Sequence, residues 1–177
     1  MSQLLTPKYL TPQLAAQVAK QVFSVTLFAE EGPYADAMKR RQGHLVILVP
    51  SMDDVRSEDY PDWPNYPIYP HLLYEESVGE KDNWEYPFDD IARCKALQLW
   101  QGRNDDGQTD SNAHLLFSGD TPYWGGVKRH GLVVGFSGEK PCIDQLISGM
   151  TADSLKALGR YAFENSNDKL DGRNFLA

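Results

Sequence analysis

The sequence predicts an α+β fold, a mostly antiparallel sheet flanked by helices, in one domain spanning residues 1–177. Three observations carry this. Apolar residues recur at helical spacing in several segments. Two β-rich apolar runs, HLVILV (44–49) and LVVGF (132–136), read as short buried strands. These strands fall between the helices without regular alternation, which favours antiparallel pairing over βαβ units.

The elements follow in order. Thr11-Pro12 starts a helix, with Thr11 as N-cap and Pro12 at the first helical position. Leu14, Val18, Val22, Val25 and Ala29 continue it, and Gly32-Pro33 is expected to close it. The following ADAMKRRQ (35–42) is too charged for a core strand. The run 44–49 is a strand ending at Pro50. Asp89 or Asp90 is expected to cap a second helix, IARCKALQLW, with Ala92, Ala96 and Leu99 on one face and Lys95 beside them. Gly102 stops it. Leu115–Ser118 and Leu132–Phe136 read as two further strands. Pro141 opens a helix with Ile143, Ile147 and Met150 inward. Gly149 and Thr151 mark a break before a last helix through Leu155, Leu158 and Ala162, and the polar tail from Asn165 is expected to fray.

Charge is unevenly distributed. Between Asp53 and Asp90 there are twelve Asp and Glu against Arg56 and Lys81 alone. That local −10 sits within a formal net charge of −8, so the rest of the chain is slightly basic. The same stretch holds Pro61, Pro64, Pro67, Pro70 and Pro87 among Tyr60, Trp63, Tyr66, Tyr69, Tyr74, Trp84 and Tyr86. Residues 53–90 are therefore expected to form an irregular insertion packed on its own aromatics, or an aromatic lid or subunit contact.

Composition also excludes. A pI near 4.9 argues against general nucleic-acid binding, which needs a basic face. No segment approaches the ~20 apolar residues of a membrane span, and no leader pattern is present, so a soluble cytoplasmic protein is expected. Cys94 and Cys142 have no metal spacing and are expected to be reduced and buried. None of the four histidines pairs with another ligand at metal spacing.

The segment YWGGVKRHGLVVGFSG (123–138) concentrates the unusual chemistry. Two glycines precede Lys128, Arg129 and His130, and a Gly-Phe-Ser-Gly turn follows the apolar run. A tight strand pair, an anion cradle and a pocket wall all fit this pattern. In the cradle reading, the helix opened by Pro141 offers a positive N-terminus, Ser137 can cap it, and Arg129 supplies a bidentate contact. The plainer reading is a capped turn with three solvated side chains. Lys95 is either desolvated or runs its stem over the sheet. Cys94 reads as core, and no catalytic triad can be assembled, so the sequence leans away from an enzyme.

Four ordered pieces then matter together: GHLVILVPSMDD (43–54), IARCKA (91–96), Gly125-Gly126-Val127, and GFSG (135–138) followed by Asp144. The chain resembles the GlcG/HbpS-like family of haem-binding and haem-degradation-related proteins, which includes PduO C-terminal-type domains. The resemblance implies a profilin- or PAS-like sandwich with a sheet of about five strands, assembly into homo-oligomers, and binding of haem or another carboxylate-bearing ligand. His44 begins a strand, where a hydrogen-bonded structural histidine is the commoner outcome, and it is also the candidate axial residue for haem. The expected ligand-binding set is His44, Lys95, Trp124, Gly125, Gly126, Arg129, His130, Ser137 and Gly138. The alternative function is a non-catalytic oligomeric interaction protein.

Overall fold

The computed structural model describes residues 4–53, 68–104 and 116–172. It is an α+β fold with five strands, all antiparallel. β1 (Leu4–Leu5) pairs with the far end of β2 (Gly43–Asp53). β2 pairs with β3 (Tyr69–Val78) on one side and β5 (Leu132–Ser137) on the other, and β4 (Val127–Arg129) pairs with β5. The helices are α1 (Pro12–Val25), α2 (Gly32–Ala37), α3 (Phe88–Trp100), α4 (Pro141–Glu164) and α5 (Asn167–Leu170).

Side-chain alternation along β2 and β5 divides the interior into two layers. Leu45, Ile47, Val49, Val134 and Phe136 pack with Val18, Val22 and Phe23 of α1 and Ile147 and Leu155 of α4. Val46, Leu48 and Val133 face α3, meeting Ala92, Ala96 and Leu99. Small residues let α3 lie close on the sheet. A Cβ added to Gly135 would meet the Ala92 carbonyl oxygen at 2.8 Å.

Several expectations change. Gly32-Pro33 does not close α1, which ends at Val25 with Thr26 as its C-cap; Gly32, at φ +85°, opens α2 instead. β2 runs through Pro50, because pairing with β5 has already ended at Leu48 and a proline there removes no ladder bond on that side. The stretch 53–90 is not irregular throughout: residues 69–78 form β3 and 88–90 begin α3, with residues 54–67 outside the described residues. β3 holds because Leu73, Tyr74 and Val78 have the α1/α4 core to pack on, which outweighs the prolines nearby. Pro87, not Asp89 or Asp90, precedes α3 as N-cap.

Residues 116–118 form no strand, and Leu115 lies outside the described residues. No break occurs at 149–151. α4 is a continuous 24-residue helix, in which the Thr151 hydroxyl donates to the Ile147 carbonyl at 2.9 Å and Gly149 has open space beside it. Leu158 and Ala162 of that helix are exposed. The tail does not fray directly after Asn165. Asp168 is buried and accepts bonds from Lys8 Nζ at 2.5 Å and the Tyr9 hydroxyl at 2.7 Å. Both cysteines are free but neither is buried: Cys142 is exposed, and Cys94 is half-buried on α3, where its thiol donates to the Gly119 carbonyl at 3.1 Å.

Candidate functional site

A cleft of about 250 Å³ opens where α3, the end of β5 and the start of α4 converge. Its floor holds a buried ion pair. Lys95 points from α3 into the gap between β5 and α4, with a side chain 1% exposed. Its Nζ donates to Asp144 Oδ2 at 2.8 Å and to the Phe136 carbonyl at 3.0 Å. Asp144, in the first turn of α4, accepts the Glu139 N–H on its other oxygen at 2.9 Å. Burial pushes the Asp144 carboxyl up to about 6, against the opposing pull of the Lys95 ammonium. Lys95 is thus desolvated, and its stem does not run to solvent over the sheet.

Glycine makes the closure possible. Gly125 lies at φ +121°, and an added Cβ would stand 2.7 Å from Asp144 Cβ and 3.3 Å from Lys95 Nζ. The Gly125 carbonyl accepts the Ser148 hydroxyl at 3.0 Å, tying the segment to α4. A Cβ on Gly126 would strike Leu99 Cδ1 at 2.5 Å, and one on Gly138 would meet the Gln42 carbonyl at 2.0 Å.

Gln42 belongs to a turn that Glu139 organises. The Glu139 carboxylate is buried and accepts three successive backbone N–H groups, from Lys39 at 3.0 Å and from Arg40 and Arg41 at 2.7 Å each. Arg41 lies at φ +54°, so the amides converge as an anion-binding nest with the carboxylate as its occupant. Tyr86, Phe88, Ile91 and Tyr123 form the apolar wall of the cleft, and Ser137 also lines it. Arg40 and Lys140 stand at its edge. Arg40 reaches Glu85 at 3.3 Å on the exposed surface.

The expected ligand-binding residues divide. Lys95, Gly125, Ser137 and Gly138 come together around this cleft, and Gly126 packs behind it on Leu99. Trp124 is half-buried just ahead of Gly125. Arg129 and His130 lie elsewhere. Arg129 pairs with Asp153 at 3.4 Å, twelve residues into α4 and so roughly 18 Å along the axis from its N-terminus. His130 and Gly131, at φ +52° and +87°, form the two-residue turn between β4 and β5. Lys128 donates to the Trp100 carbonyl at 3.0 Å and sits over the Trp100 ring, satisfying the C-terminus of α3. The KRH run is therefore the end of a tight strand pair whose cations serve two helices. Ser137 does not cap α4, whose N-cap is Lys140 without a side-chain bond.

His44 is buried on the α3 face of β2, with Nδ1 2.9 Å from the Ser77 hydroxyl and Nε2 3.3 Å from Glu75 Oε2. Glu75 is held by Arg93 at 3.0 and 3.2 Å, which draws its carboxyl below the usual range. Burial lowers the His44 pKa, with the Glu75 bond working against it. Both ring nitrogens are thus engaged in fastening β3 to β2. His114 lies outside the described residues. No group of three or more His, Cys, Asp or Glu suited to a metal occurs among the described residues. No helix there is long and apolar enough to cross a membrane.

Arg40, Tyr86, Tyr123, Glu139 and Lys140 were not singled out as site residues from sequence. The available signal was the Glu139-Lys140-Pro141 order at the start of a helix, which puts a carboxylate and a cation at one helix mouth. Arg40 carried no local signal, because only the Glu139 nest brings its turn to the cleft. Comparison with family models, curated proteins and solved structures yields no match to this chain.

Proposed function

We propose that the chain is a small-molecule-binding module of the GlcG/HbpS-like type, with a small carboxylate-bearing ligand in the Lys95–Asp144 cleft. One observation carries the reading. The internal charges of the cleft are already matched, Lys95 by Asp144 and Glu139 by three amides, whereas Lys140, and Arg40 with its exposed contact to Glu85, border an aromatic wall at its mouth. A carboxylate pairs with those two cations while its apolar body rests on Tyr86 and Tyr123.

The size of the cleft favours a compact ligand over haem, since about 250 Å³ lies below the ~300–1,000 Å³ of ordinary ligand pockets. An axial bond from His44 would also cost the strand-fastening contacts to Ser77 and Glu75. Calorimetric titration with benzoate, butyrate and haem tests this. Saturable carboxylate binding weakened about tenfold by Lys140→Ala is expected. Saturable haem binding lost in His44→Ala would replace this reading with the haem one.

A second reading, a homo-oligomeric interaction protein, draws on β3. Among the described residues β3 pairs only with β2, and Tyr69 and Leu72 are exposed along it. A mass of 20.0 kDa by light scattering at micromolar concentration would remove it.

A further inference from the structure

The Lys95–Asp144 pair differs from an ordinary buried ion pair in one respect. Though 1% and 3% exposed, its two side chains form the floor of a cleft that opens to the surface. The ammonium has three N–H bonds. Two go to Asp144 and the Phe136 carbonyl, and no third acceptor occurs among the described residues. A lysine ammonium, a carboxylate 2.8 Å away able to take its proton, an apolar wall, and two cations at the mouth together match one substrate chemistry.

We propose that Lys95 forms an imine with a short oxo acid, whose carboxylate rests on Arg40 and Lys140 while its carbonyl carbon meets Nζ. This rests on the cleft being the carboxylate site proposed above. The Lys95 ammonium gives a proton to Asp144 Oδ2, and the freed nitrogen pair attacks the carbonyl carbon. The C=O π pair moves to oxygen, and a proton passes from nitrogen to that oxygen to give the carbinolamine. Asp144 then returns its proton to the hydroxyl, which leaves as water as the nitrogen pair closes the C=N bond. Ammonium and ketone enter, iminium and water leave, and nothing is oxidised or reduced. The iminium cation faces the Asp144 carboxylate as the ammonium did, so the buried charge is conserved. The desolvated setting of Asp144 favours its transient protonation.

Reductive trapping tests this on the whole protein. The chain is incubated with 2-oxobutyrate or 4-oxopentanoate, which place the carbonyl at two distances from the carboxylate, in the presence of cyanoborohydride. The expected product has a mass gain equal to the acid less one oxygen. It maps to Lys95 after proteolysis, saturates with acid concentration and is suppressed by excess butyrate. Lys140→Ala should lower labelling at sub-saturating acid about tenfold. Adducts spread over surface lysines with none at Lys95 overturn the imine, and a butyrate-induced rise in melting temperature in the same protein leaves the binding site standing. No melting shift and no butyrate-protected adduct overturn both. Lys95→Arg should abolish the adduct, and if that variant does not fold, the wild-type peptide map decides alone.

Discussion

Gly125 and Asp144 occupy each other's space: a Cβ at position 125 would lie 2.7 Å from the Asp144 Cβ. The backbone there is at φ +121°, which side-chain-bearing residues avoid, so two independent penalties act on any substitution. Gly125→Ala should push the start of α4 outward, part Asp144 from Lys95, and cost roughly 2–4 kcal/mol. Urea unfolding monitored by circular dichroism measures it. An unchanged midpoint would mean that the two segments are not packed as described.

The ion pair itself predicts an asymmetry. Asp144→Leu leaves the Lys95 charge buried with no acceptor in place of its counter-ion and should destabilise by about 3–5 kcal/mol. Replacing both partners by apolar residues, Lys95→Met with Asp144→Leu, removes the stranded charge and should cost less than either single change. Urea midpoints for the four proteins complete the cycle. A double variant as unstable as the sum of the singles would contradict a direct pairing.

The same pair gives stability a pH dependence with a definite sign. The Asp144 carboxyl is raised from 3.8 to about 6 in the folded chain. Between those values the folded state keeps a proton that the unfolded state has lost, so this group's contribution is full below about 4 and declines as pH rises to about 6. His44, with its pKa lowered by burial, acts oppositely, losing stability as pH falls below 6.5. The difference in unfolding free energy between wild type and the Lys95→Met/Asp144→Leu variant isolates the first effect. That difference should fall from pH 4 to pH 6, and a rise would reverse the assignment.

Arg129 illustrates how a sequence neighbourhood can mislead. Lys128, Arg129 and His130 are adjacent in the chain and close in sequence to the Pro141 helix start. A strand nevertheless sends successive side chains to opposite faces, so Lys128 goes to α3 and Arg129 to α4. The α+β class, β2, β5, the Thr11 cap and the Ala92/Ala96/Leu99 face are all legible, because each rests on local periodicity or a capping residue. β3 is not, because its support comes from long-range packing beneath an acidic, proline-rich sequence. Lys95 is legible as a candidate through its alanine neighbours. Its partner Asp144 lies 49 residues away, and only the closed fold joins them. Arg129→Ala should accordingly change stability by less than about 1 kcal/mol, as for a surface pair, and leave carboxylate affinity unaltered. A tenfold loss of affinity in that variant would restore the cradle at the hairpin.

Glu139 carries the last prediction. Its carboxylate takes the N–H groups of Lys39, Arg40 and Arg41, three donors with no other acceptor among the described residues. The turn also sets Gln42 against Gly138, where a Cβ would meet the Gln42 carbonyl at 2.0 Å, so the nest fixes the register in which β2 begins. Glu139→Ala should therefore destabilise by roughly 1.5–3 kcal/mol, the loss of charge-assisted hydrogen bonds to three part-buried amides. Because the amides still converge, a small external anion can re-enter the position. Acetate should raise the melting temperature of Glu139→Ala more than that of wild type at equal ionic strength, with chloride as the control. Glu139→Gln, which keeps the shape and one acceptor, should show a smaller loss and little response to acetate. Equal acetate responses in wild type and Glu139→Ala would show that the three amides do not converge on one anion.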